Sequence, residues 1–371
     1  MLRMVLVILL DVFGGVSVSN RLFTVGPVEV FEDTLQAMNK PMMIHRGQKY
    51  ASLQHGIVEK LHKVLDTDMH IFLAPASATA FLEACVRCGV HERMMSLTNG
   101  SFGDRWASIG TACGKQVKRV EGQWGKAIRC VDVAGKLEPT TEAVTIVSNE
   151  SSTGVLNPTK ELARLFKAEA DPLVFVDGVT SVGAVDFKLR EMEIDALVFG
   201  SQKAFALPPG LAIICCSDRL LKVAEKVQGR GYYLDLLEYK KAADKDMPLT
   251  TPPVSLMYGL DYQLDKMLKE GMAHRYARHH EMAEAARAWA QKHFKLYAEK
   301  GYESETITVV ESGKLDFPRL DKELKSRGFE VSPGYGKIKE STFRIGHMGD
   351  LTMKDMNDLF KALDDSLEAM K

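Results

Sequence analysis

The sequence lacks an excess of either charge: 48 lysines and arginines stand against 49 aspartates and glutamates, a net charge of -1 over 371 residues. So even a balance creates no broad field for nucleic acid or an anionic membrane, and any anion site must be local. A cysteine framework is also lacking. The six cysteines are scattered, and Cys85 and Cys88, on one apparent helix, have no second ligand pair nearby. Reduced core thiols in a cytoplasmic protein are expected, and no metal site. Internal repeats, low-complexity tracts and long flexible linkers are missing. No G-x-G-x-x-G follows an early strand, which argues against a nicotinamide dehydrogenase. Apolar runs are short. Met4 to Leu10 follows Arg3 as in a signal peptide, but it cannot span a bilayer and ends at Asp11. An extension of unclear role, or a strand of the fold, is expected over residues 1–20.

What is present is ordinary for a soluble enzyme: 46% hydrophobic and 26% charged residues. The length exceeds the usual single-domain range, so two domains are expected. From Leu22 onward helical periods alternate with short apolar runs, the pattern of a doubly wound, mostly parallel α/β sheet. Strands are expected at His70–Leu73, Arg93–Thr98, Gln116–Val120, Ala143–Ser148, Leu173–Asp177, Ala196–Gly200 and Ala212–Cys216. Helices are expected between them at Ala78–Cys88, Gly103–Cys113 and Pro158–Glu169, and two long ones follow at Pro252–Lys269 and His274–Lys295. Strands at Thr306–Glu311, Glu330–Ser332 and Thr342–Gly346, with helices at Asp316–Arg327 and Thr352–Ala369, make the rest α+β. The expected division is a large domain over residues 21–262, its first segment able to pack on the small one, and a small domain over 263–371.

In open α/β sheets ligands bind at the carboxyl ends of the strands, so polar residues just after apolar runs carry the chemistry. In LAPASATAFLEACV the N–H groups and the Ser77 and Thr79 hydroxyls can hold a phosphate at a helix start; plain N-capping by Ser77 is the competing reading. In VFVDGVTSVG the strand ends in Asp177, a carboxylate able to keep a pyridine nitrogen protonated, or else a turn aspartate. In DALVFGSQKAFALPPGLA, Lys203 stands between apolar runs, where desolvation lowers its pKa and makes it a nucleophile toward aldehydes; a surface lysine is the alternative. In STFRIGHMGD, Arg344 lies inside an apolar strand and suits either a substrate carboxylate or a structural ion pair. His274, His279 and His280 lack a metal-like set of partners and are expected as solvated helix histidines.

The strings GSQKAFALPPG, NESSTGVLNP, VDGVTSVG, TVGPVEV and FRIG, in this order-preserving spread over Leu22 to Leu367, resemble class V aminotransferases, the alanine-glyoxylate and serine-pyruvate group. The resemblance implies fold type I, a homodimer with shared active sites, and pyridoxal 5'-phosphate as cofactor. It implies Lys203 as the covalent attachment point and Asp177 as partner of the pyridine nitrogen. Gln202, Ser77, Ala78 and Thr79 would bind the phosphate, joined by Thr251 of the neighbouring subunit. Phe102 would stack on the cofactor and Ser151 would lie near its phenolic oxygen. Arg344 would clamp the substrate carboxylate beside Gly26.

Two places depart from the family's pattern. Ala76 and Ala78 stand where its phosphate loop is richer in glycine, and Pro248 stands where related enzymes place a tyrosine. The implied activity is transfer of an amino group from a small amino acid, alanine or serine, to glyoxylate or pyruvate. The rival substrate is phosphoserine, because His45, Arg46 and Gly47 resemble the HRG of phosphoserine aminotransferases, where Arg46 would receive a phosphate. A desulfurase would need a cysteine in a late, flexible loop, which none of the six provides. A catalytically silent homologue would not need Lys203 and Asp177.

Overall fold

The computed structural model describes residues 20–371, so the expectation for the first apolar segment lies almost entirely outside the described residues. A seven-stranded sheet is built from β2 (His70–Ala74), β3 (Arg93–Thr98), β4 (Gln116–Glu121), β5 (Ala143–Val147), β8 (Leu173–Asp177), β9 (Ala196–Gly200) and β10 (Ala212–Cys216), in the order β2-β10-β9-β8-β5-β3-β4. The dipeptide strands β6 (Asn149–Glu150) and β7 (Val155–Leu156) pair only with each other. β5, β8, β9 and β10 are buried at every position, as expected for strands covered on both faces by crossover helices. Fully buried side chains such as Phe175 and Phe199 each contribute about 2 kcal/mol from loss of contact with water.

Within the seven-stranded sheet only β10 runs against its neighbours. It pairs antiparallel with both β2 and β9, so those two strands point the same way, and Ala74, Ala212 and Gly200 lie in register across the sheet. The ends of β2, β9, β8, β5 and β3 therefore open on one edge. The segments leaving that edge carry Ser77, Lys203, Asp177 itself, Ser151 and Phe102.

A second sheet has the order β1-β13-β14-β12-β11, with β1 at Arg21–Phe23, β11 at Lys295–Leu296, β12 at Ile307–Glu311, β13 at Phe329–Pro333 and β14 at Thr342–Gly346. β1 pairs parallel with β13, some 300 residues later in the chain, through Arg21↔Phe329 to Phe23↔Val331. The foreseen strands all form, with ends shifted by a residue or two. Helices not foreseen cover Glu32–Met38, Gln48–Leu65, Asp218–Ala224 and Leu236–Ala243. The helices Val254–Glu270 and Met272–His293 meet at Gly271, whose φ of 81° makes the break between them.

One expectation fails on the second of these helices. His279 is fully buried rather than solvated, its Nε2 accepting from Gly349 N, while His274 and His280 are exposed. The buried residues Arg275, His279, Met282, Ala283, Ala286 and Ala290 follow the helical period, and His279 falls on that inward stripe.

Candidate active site

At the carboxyl edge of the large sheet lies a cavity of about 290 Å³. Its wall contains Gly26, Ser77, Ala78, Thr79, Phe102, Ser151, Asp177, Gln202 and Lys203, so nine of the residues singled out from the sequence are brought together. Arg344 stands just behind, donating from Nη1 to the carbonyl of Ser151 at 3.2 Å. Arg46 and Thr251 are exposed and line no part of this cavity in their own chain.

The helix Thr79–Gly89 starts at one end. Its cap residue is Ala78, with no side-chain cap bond, so N-capping by Ser77 does not occur. The N–H groups of Ala80, Phe81 and Leu82 return to Ser77 and Ala78 carbonyls. Those of Ser77, Ala78 and Thr79 find no acceptor among the described residues, and with the helix dipole they form a local anion cradle.

Asp177 ends β8 with one oxygen accepting from Val179 N at 2.9 Å, and it is only 5% exposed. Burial pushes its carboxyl up to about 6, opposed by the Val179 N–H and by the charges of Arg105 and Lys203. Lys203 follows β9 and donates from Nζ to the Val25 carbonyl. Burial, aided by the Arg344 charge, pushes its ammonium down to about 7, with Asp177 opposing. Such an amine is substantially neutral near pH 7 and can attack a carbonyl. Gly26, with φ of 117°, approaches so closely that a Cβ there would stand 2.6 Å from Lys203 Nζ.

Arg344 projects from β14 and is 7% exposed. Its Nε donates to Pro333 O at 2.9 Å, and no described carboxylate pairs with it. Burial pushes even this guanidinium down to about 10. An almost dry guanidinium with unfilled donors is a receptor for a carboxylate. Sequence reasoning missed four further groups. Arg105, one helical turn after Phe102, lies 4.6 Å over its ring, and the i, i+3 spacing was a usable signal. Asn149 lines the cavity with its Oδ1 buried and unpartnered. Glu150, inside the NESSTG string, is fully buried and accepts from the N–H groups of Phe102 and Gly103. Tyr335 stacks on Phe102 at 5.7 Å.

Comparison with known proteins gives a consistent result. The family profile of class-V aminotransferases matches residues 102–338. An uncharacterised aminotransferase of Methanocaldococcus jannaschii is 35% identical over 347 residues, covering 90% of this chain and 89% of that protein. A serine–glyoxylate aminotransferase of Methylorubrum extorquens is 31% identical, over 90% of this chain and 87% of the other. Among solved structures, an alanine–glyoxylate aminotransferase from Nostoc sp. superposes with a TM-score of 0.89 at 26% identity, covering 94% of this chain and 95% of that one. Among the described residues, no helix is long and apolar enough to cross a membrane.

Proposed function

Because this chain belongs to the class-V aminotransferase family, we propose that it carries an amino group from a small amino acid, alanine or serine, to glyoxylate or pyruvate in two half-reactions. It is a pyridoxal-phosphate-dependent transaminase of fold type I. The observation that carries the substrate reading is the single buried, acid-free guanidinium of Arg344 beside Lys203. That is one buried carboxylate receptor at the reacting amine, while the other arginine of the cavity wall, Arg105, is half-buried and packs over the Phe102 ring.

The residues fit the cofactor. The free N–H groups of Ser77, Ala78 and Thr79, with Gln202, offer a phosphate site at one end, and Asp177 offers a carboxylate for a ring nitrogen. The close approach of Gly26 to Lys203 leaves room that a side chain would fill. When bound, pyridoxal phosphate supplies an electron sink for charge developing at the substrate α-carbon. The protein supplies the rest. Lys203 is the covalent attachment point, and its free amine, near neutrality in pKa, moves the proton at the α-carbon. Asp177 holds positive charge on the ring nitrogen by charge pairing. Phe102 and Ser151, both in the cavity wall, would hold the cofactor's ring in place, and Arg344 would bind the carboxylate of donor and acceptor alike.

Two parts of the site belong to a partner subunit in this reading. Arg46 and Thr251 lie outside their own chain's cavity, and the Arg46 segment exposes Met42 (65%) and Ile44 (79%), apolar surface suited to burial against a second copy. The working form is thus a homodimer, and the six free cysteines suit a reducing cytoplasm. Half-reaction rates of alanine, serine and phosphoserine with wild type and Arg46→Ala test the substrate. Alanine or serine is expected to react fastest. Phosphoserine reacting far faster, with Arg46→Ala removing only that advantage, refutes the small-donor reading.

A further inference from the structure

Between β13 and β14 of the second sheet the chain passes through Gly334 and Tyr335 into a short 3-10 turn, Gly336–Ser341, and the aromatic at its start is one that no strand or helix pattern announces. Tyr335 is 39% exposed. Its ring stacks on Phe102, with centroids 5.7 Å apart and planes 11° from parallel. The Arg344 guanidinium carbon lies 5.3 Å from the centroid of the same ring. Tyr335 therefore joins the residue expected to cover the cofactor to the one expected to hold the substrate.

The backbone on either side is built to keep the ring there. At Gly334 a Cβ would meet Thr342 Oγ1 at 2.4 Å, two residues before Arg344. At Gly336, with φ of 60°, it would meet Ser101 Oγ at 2.4 Å, one residue before Phe102. Lys337 adds an anchor, its Nζ 4.4 Å over the Trp124 ring. The loop is thus pinned to β14 on one side and to the helix Ser101–Ala112 on the other. Arg344 itself reaches back to the loop through Nε and Pro333 O. With Nε and one Nη1 hydrogen engaged, the remaining Nη hydrogens are the edge left for a carboxylate, and the direction of that edge depends on the guanidinium plane.

We infer that Tyr335 is a positioning residue that fixes the plane of the Arg344 guanidinium, so that the free edge meets the carboxylate common to amino-acid and oxo-acid substrates. The inference rests on the aminotransferase reading of Arg344 given above. A guanidinium over an aromatic face gains about 0.5–2 kcal/mol, which corresponds to roughly 2- to 30-fold in carboxylate affinity if the plane is lost with the ring.

The test uses holoenzyme and the unreactive carboxylate propanoate, its binding followed through the visible absorbance of the cofactor, alongside KM and kcat for alanine. In Tyr335→Leu and Tyr335→Ser, propanoate affinity is expected to fall and KM to rise by about tenfold, with kcat, cofactor content and thermal midpoint nearly unchanged. Tyr335→Phe keeps the ring and is expected to keep wild-type affinity. Unchanged propanoate affinity in both non-aromatic variants overturns the inference, as does a fall accompanied by lost cofactor or a lower thermal midpoint, or one that Tyr335→Phe shares. If wild type neither binds propanoate nor reacts with any amino acid, the aminotransferase reading of Arg344 falls, and the role of Tyr335 falls with it.

Discussion

Two groups of buried charges lie close together and behave in opposite ways. Around Gly271, Arg275 is 1% exposed, yet its donors are engaged: Nη1 with Glu270 and Asp350, Nε with Gly183 O at 3.1 Å, Nη2 with Ala204 O at 2.6 Å. Lys266 and Gln263 also bind Asp350. Burial there would raise the carboxyls of Glu270 and Asp350, but these cations hold both below the ordinary value. Around the cavity, Asp177 and Arg344 are buried and Lys203 is half-buried, all without such partners, and each moves toward its neutral form. Burial is common to both groups; the number of close partners differs. Where partners are supplied the charges brace the fold, and where they are withheld the groups are left to act on a ligand. The braced group even holds the reactive one, since Arg275 binds the carbonyl of the residue after Lys203.

The comparison breaks most completely at Lys203. Lys203→Ala is expected to abolish borohydride-reducible attachment of the cofactor and with it measurable turnover. Recovery of the labelled peptide around any other lysine in the wild type would remove Lys203 from the unpartnered group. The next largest effect belongs to the braced side. Asp350→Ala takes from Arg275 one of its two carboxylates and from Lys266 a partner, and is expected to cost about 3 kcal/mol of unfolding free energy in urea. A cost under about 1 kcal/mol, the range of exposed pairs, would show that the network does not brace the fold.

Asp177→Asn sharpens the same contrast from the other side. The amide cannot hold a ring cation, so turnover is expected to fall about a hundredfold, equivalent to about 2.7 kcal/mol in the barrier. Unfolding free energy at pH 8 should stay level or rise, because an uncompensated buried charge is removed. Near-normal turnover with lowered stability would place Asp177 among the braces instead.

The contrast also explains what could be read from the sequence. Asp177 and Lys203 were legible because an apolar strand ends beside each, and the sheet rule gives that edge a chemical meaning. Arg344 was legible as a charge inside an apolar strand. The braces were harder. Arg275 and His279 read as two more polar residues in a helix rich in them, although stepping back from Ala286 and Met282 along the helical period reaches both. Tyr335 and Glu150 had no periodic signal at all, because each acts from a loop or a dipeptide strand whose position is set by chain segments far away in sequence. The substrate side was the least legible. Arg46 is exposed and lines no part of its own chain's cavity, so nothing around it assigns a ligand.

The smallest effect tests the electrostatic origin of the difference. In the protein freed of cofactor, Lys203 titrates near 7, against 10.5 for an ordinary lysine. Between those values the unfolded chain binds more protons than the folded one, so unfolding free energy rises with pH across this window and is unaffected by Lys203 below it. Asp177 has the opposite sign, its carboxyl raised to about 6 from 3.8, so its share of stability is lost as pH rises through 6 and is constant above. Glu150, raised to about 7 by burial, behaves likewise and has finished titrating by about pH 8.5. From pH 8.5 to 10 neither carboxyl changes its contribution, and Arg344, pushed down to about 10, is common to wild type and to a Lys203 variant, so the difference between those two isolates the lysine. The expected result is that wild type gains on Lys203→Met over this range, by at most about 1.4 kcal/mol per pH unit. Arg344→Leu removes the charge that does most, after burial, to depress Lys203, and it should shrink that gain by raising the lysine's folded pKa. A difference between wild type and Lys203→Met that is flat with pH would mean that Lys203 is as well partnered as Arg275, and the distinction between the two groups would be lost.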